Sequence, residues 1–131
     1  MKIEVLPQRF SICKLARTPE PAELMEFCFY SRTDEELSLL CPTSCAPAET
    51  LKREDGYRGF RFAGTLDFGL IGILAHVTAL LAGKKIPVFA VSTYNTDYIF
   101  VKSDFFASAL EALRADGYEI TEHLCLDATR Q

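Results

Sequence analysis

The sequence predicts an α+β protein made of two βαββαβ units packed as one compact body, the N-terminal unit irregular. Three observations predict it. Over residues 57–126 strand-like and helix-like periods alternate in the order strand, helix, strand, strand, helix, strand. A weaker version of the same order precedes Tyr57, and no Pro-, Gly- or Ser-rich linker separates the two. The expected units are residues 1–58 and 59–131, with the strand near 55–61 shared between them.

From Tyr57 the chain alternates rings and charges at period two, which predicts a strand over 57–67. Leu70, Ile73, Leu74, Val77, Leu80 and Leu81 recur at helical spacing, so a helix is expected over 69–82, stopped by Gly83, Lys84 and Lys85. Two β-rich apolar runs, 86–92 and 97–101, flank the polar segment Thr93 to Thr96 and read as a hairpin. Pro87 sits near the start of its run, where a missing amide donor is tolerated. Ser103 is placed to cap a helix whose inward stripe is Phe106, Ala109, Leu110 and Leu113 and whose C-cap is Gly117. A last strand follows at 118–126. This order is the ferredoxin-like plan, two helices on one face of an antiparallel sheet. Before Tyr57 the expected elements are strands at 10–15, 26–31 and 37–41, a helical turn at 22–25 and a brief helix at 46–52. Pro19 and Pro21 leave room for no more than one helical turn in the first crossover.

Composition narrows the function. A net charge of −4 and a pI near 5.2 oppose the basic footprint that nucleic acid requires. The apolar stretch 68–82 is interrupted by Gly69, Gly72, His76 and Thr78 and is too short for a membrane span. Five irregularly spaced cysteines without a secretory leader predict reduced thiols and a cytoplasmic protein. Cys41-Pro-Thr-Ser-Cys45 lacks the spacing of a zinc knuckle or redox pair, so the cysteines read as small hydrophobes. His76 and His123 read as structural, and no nucleophile elbow or phosphate loop occurs. No catalytic residue, metal or cofactor is expected.

One constellation could hold a ligand. The strand-to-helix junction Asp67-Phe68-Gly69 with Gly72, and the hairpin Ser92-Thr93-Tyr94 with Asp97, are expected at the same end of the sheet. Amides at the start of the helix suit a carboxylate, and Asp67 or Asp97 suits an amino group. The bland readings stand beside these: Asp67 as a helix cap, Asp97 as a turn residue, and Tyr94 as a surface ring. Gly72, expected inside the helix, would be there for close approach of a ligand or neighbour.

These residues also resemble the ACT domain, the amino-acid-binding module of aspartate kinases, and within it the CASTOR-like group of tandem ACT proteins. The resemblance rests on the segments Leu66 to Leu74 and Ile86 to Val101. It implies an amino-acid effector held between ACT units by Asp67, Phe68, Gly69, Gly72, Ser92, Thr93, Tyr94 and Asp97. CASTOR-like sensors use four units in a chain whereas this one has two, so the resemblance implies a homodimer. The alternative is an ACT module that assembles subunits without a ligand.

Overall fold

The computed structural model describes residues 1–63 and 72–122. It is a mixed α+β fold with eight strands and two α-helices among the described residues. The chain divides into two compact units: residues 8–57 form one, and residues 1–7 together with 58–131 form the other. The N-terminal segment therefore joins the C-terminal unit, instead of staying with residues 8–58.

The smaller unit contains β2 (Phe10–Leu15), β3 (Phe29–Arg32), β4 (Leu37–Pro42) and the first part of β5 (Thr50–Phe62), following β1 (Lys2–Val5) in the chain. Its strand order is β3-β4-β2-β5, with every neighbouring pair antiparallel. Where two helices would cross over, the chain makes only 3-10 turns, at Pro21–Glu23 and Thr43–Cys45. The expected helix at 46–52 is absent, because residues from Thr50 onward already belong to β5. Register puts Ser11 opposite Cys41 and Cys13 opposite Leu39, so these four share one face of the sheet. Cys13, Leu15, Leu39 and Cys41 are buried there, with Leu24, Cys28, Tyr30 and Cys45 packed against them.

The larger unit continues with α1 (Ile73–Gly83), β6 (Phe89–Ser92), β7 (Asp97–Lys102), α2 (Ser103–Ala115) and β8 (Glu119–Glu122). Its strands lie in the order β6-β7-β5-β1-β8. β1, which has no counterpart among the expected strands, is wedged between β5 and β8, antiparallel to the first and parallel to the second. Ile3 and Val5 of β1 join Phe60, Phe62, Ile99 and Val101 from the sheet and Val77, Leu81, Phe106, Ala109 and Leu113 from the helices in one buried cluster. At about 25 cal/mol per Å² of apolar surface removed from water, this cluster supplies the main drive for folding of the unit.

Both helices close with the same backbone motif. After α2, the Tyr118 amide donates to the Leu113 carbonyl and the Gly117 amide to Arg114, with Gly117 at φ 99° as the sequence predicts. After α1, the Ile86 amide donates to Leu81 and the Lys85 amide to Ala82. Here Gly83 is still helical and, of the expected stop residues Gly83, Lys84 and Lys85, it is Lys85 that takes the left-handed position, at φ 60°. His76 on α1 pairs with Asp116 at the end of α2, Nε2 to Oδ2 2.7 Å, a contact between the two helices.

Candidate functional site

The hairpin between β6 and β7 is built on cross-strand pairing that ends at Ser92 opposite Asp97. The Ser92 hydroxyl donates to the Asp97 carboxylate, so these two expected ligand groups meet each other. Beyond them the Thr93 amide and hydroxyl both donate to the Thr96 carbonyl, at 2.9 and 3.0 Å, which closes the turn around Tyr94 and Asn95. Tyr94 stands at the tip, 92% exposed.

Thr96 is the residue that the sequence reading undervalued. It is buried, and its hydroxyl donates to the Phe62 carbonyl at 3.0 Å, at the end of β5. The hairpin is thereby fixed beside the point where the chain leaves the sheet for α1. A threonine amid polar turn residues gives no sign in sequence that its hydroxyl faces inward; its burial and its bond to Phe62 show it.

Asp67, Phe68 and Gly69 lie outside the described residues, as do His123 and Cys125. Gly72 is described and its expected role changes. It is the N-cap of α1, not an interior helical residue, and holds φ 82°. An added Cβ would meet nothing within 4 Å among the described residues, and the left-handed conformation by itself favours glycine here. Gly72→Ala is expected to cost about 1–2 kcal/mol through left-handed strain alone, with Gly72→Asn costing less. Urea denaturation of the two variants checks the order; equal losses would point to a steric cause.

Among the described residues no group of His, Cys, Asp and Glu side chains is arranged to hold a metal ion, and no helix is long and apolar enough to cross a membrane.

Comparison with known proteins gives a match to one family over part of the chain. Residues 52–115 match the family model of the ACT domain. The match runs from β5 through α2 and so contains both the strand-to-helix junction and the hairpin. No curated protein matches the chain. Among solved structures, a protein of Agobacterium tumefaciens is 27% identical, with 95% of this chain and 94% of that one covered and a TM-score of 0.83. A Vibrio cholerae protein of unknown function is 20% identical, with 86% of each chain covered and a TM-score of 0.68. The ligand-free regulatory subunit of aspartate kinase from Thermus thermophilus is 8% identical, with 88% and 96% covered and a TM-score of 0.62. The last two likenesses establish shared fold alone. Structural similarity to aspartate kinase regulatory regions thus accompanies the ACT match.

Proposed function

We propose that the protein is a non-catalytic regulatory protein of the cytoplasm that binds a small effector, an amino acid, at an ACT surface completed by a second copy of the chain. The observation that carries this reading is the Thr96 to Phe62 hydrogen bond. It holds the hairpin of Ser92, Thr93, Tyr94 and Asp97 at the end of the sheet from which the chain enters α1. Ligands of open α/β and α+β sheets favour such ends, where helix amides and loop hydroxyls converge. Asp67, Phe68, Gly69 and Gly72 complete the proposed site from the strand-to-helix side.

The strand orders support reading both units as ferredoxin-like. In residues 8–57 the order and antiparallel pairing are those of a βαββαβ unit whose helices have shrunk to 3-10 turns. In the other unit the order is the same once β1 is set aside. Two such units per chain make a homodimer the simplest route to the four of a CASTOR-like tandem sensor.

A thermal-shift screen of the purified protein against the twenty amino acids and common nucleotides tests the proposal. A selective upward shift with one amino acid is expected. Asp97→Ala should keep the fold and lose that shift. Thr96→Val should lose it too, at a stability cost of about 1–3 kcal/mol for the unpaired Phe62 carbonyl. A second reading, an assembly module without a ligand, is favoured by the mutual pairing of Ser92 with Asp97 and by the exposed Tyr94 ring. Silence across the panel, together with loss of the oligomer in Tyr94→Ala, would select it.

A further inference from the structure

We propose that the sheet face of the 8–57 unit opposite the cysteine cluster binds a small phosphate monoester, its phosphate held between the ammonium groups of Lys14 and Lys52. This site is separate from the hairpin of residues 92–97 and does not depend on the amino-acid reading.

Strand register assembles it. Lys14 of β2 stands directly opposite Lys52 of β5 on one side and Ser38 of β4 on the other, and Ser38 stands opposite Ser31 of β3. Paired positions share a face, so one row across the four strands is Ser31, Ser38, Lys14, Lys52. Alternation puts this row on the face away from Cys13, Leu15, Leu39 and Cys41. The adjoining row brings Ile12 opposite Leu40 and Glu54. A groove of about 530 Å³ opens over these positions, lined by Ile12, Lys14, Ser38 and Lys52 with Glu36 and Glu54 beside them. That volume is in the range of small-molecule sites.

The lysine pair is what calls for a ligand. Like charges directly opposite in a ladder, with Cβ atoms about 4.5–5.5 Å apart, destabilise the sheet. The fold does nothing to offset this pair: among the described residues neither ammonium makes a hydrogen bond or an ion pair, and the Ser38 hydroxyl makes no hydrogen bond. Arg53, the next residue along β5, is treated differently. It stands opposite Cys13 on the other face, and its guanidinium donates to Asp55 at 2.8 Å. A dianion between Lys14 and Lys52 would remove the repulsion and gain two charge-assisted hydrogen bonds.

Charge and surroundings select the ligand class. A phosphate monoester carries about 1.5 to 2 negative charges at neutral pH and three acceptor oxygens, which serve both lysines and the Ser38 hydroxyl. A monocarboxylate would leave one ammonium uncompensated. Glu36 and Glu54 border the same groove and repel a chain of phosphates, so a single phosphate fits and a nucleic-acid backbone does not. Half-buried Ile12 offers the floor for an apolar body on the ester. The sequence conceals the site, because the two lysines are far apart in the chain and each alone reads as a solvated charge.

The test is a two-dimensional amide NMR titration of the full chain with phenyl phosphate, inorganic phosphate and benzoate as probes. Phenyl phosphate is expected to shift the amides of Ile12 to Lys14, Ser38 and Lys52 to Glu54 to saturation at millimolar concentration, and to bind more tightly than either other probe. Lys14→Gln and Lys52→Gln should each weaken its binding by about tenfold or more. The same variants should melt at or above the Tm of the wild type, since each removes one side of a repelling pair; lysines with a merely structural role would lower it. No saturable shift, shifts centred on residues 92–97, benzoate or inorganic phosphate binding as tightly as phenyl phosphate, unchanged affinity in either variant, or a lowered Tm in both would each overturn the proposal.

Discussion

Phe100→Ala is expected to lower stability by about 3–5 kcal/mol and Gly59→Ala by about 1–3 kcal/mol, with the double variant losing less than the sum. Phe100 on β7 is fully buried. A Cβ built on Gly59 of β5 would lie 2.5 Å from both Cδ1 and Cε1 of its ring, a separation that real Cβ atoms do not sustain. The glycine in mid-strand is thus explained by the ring. Alanine at 59 must push the ring out of its packed position, whereas once the ring is removed the same methyl group has free space and fills part of the cavity. Urea denaturation of the wild type, both single variants and the double variant measures the coupling. Additive losses would mean that the ring is not what excludes a side chain at 59.

How far the sequence carried depended on whether the signal was local. α2 was legible almost to its ends, since its apolar stripe is clean and Gly117 supplies the left-handed residue that terminates it. β2, β4 and β7 were likewise placed within a residue. β1 was missed because Lys2 to Val5 is short and its partners, β5 and β8, are remote in sequence. Pairing across such a distance leaves no local mark. β5 was expected to start at Tyr57 but begins at Thr50, since the charged run Lys52 to Asp55 does not look like a strand. That run is stabilised by neighbours instead: Ser11 is buried and donates to Asp55, while Arg53 donates to Asp55 at 2.8 Å.

The candidate site was legible in part. The hairpin and its residues 92–97 stand where the alternation put them, and the Thr96 anchor brings them beside the end of β5. What failed was the placing of Gly72 inside the helix. The helix begins at Ile73, so Gly72 meets the left-handed requirement of an N-cap that the helical spacing did not reveal. The thiols show the reverse case. Each cysteine read singly as a small hydrophobe, which describes Cys13 and Cys41, while the grouping of four needed the register of β2 on β4 to be seen.

That grouping leads to the second large effect, a loss of stability at alkaline pH that Cys41→Ala should diminish. Burial, reinforced by the neighbouring Cys13, Cys28 and Cys45 thiols and partly offset by the Arg53 guanidinium, pushes the Cys41 thiol from 9.0 up to about 12. Below pH 9 folded and unfolded chains both hold this proton, and the contribution is fully present. Between the two values the unfolded chain releases the proton while the folded one keeps it, so stability falls as pH rises. At about 1.4 kcal/mol per pH unit the ceiling is about 4 kcal/mol by the time the folded thiol ionises. Cys13 and Cys28, also raised by burial, act in the same direction. Every other group is common to wild type and variant, so the difference between the two isolates the thiol. Urea midpoints compared at about pH 8 and about pH 11 should show Cys41→Ala weaker at the lower pH, where the lost sulfur packing dominates, and closer to wild type at the higher. Parallel pH profiles for the two proteins would mean that the Cys41 thiol ionises as readily in the folded chain as in the unfolded one, and the sealed cluster would have to be redrawn.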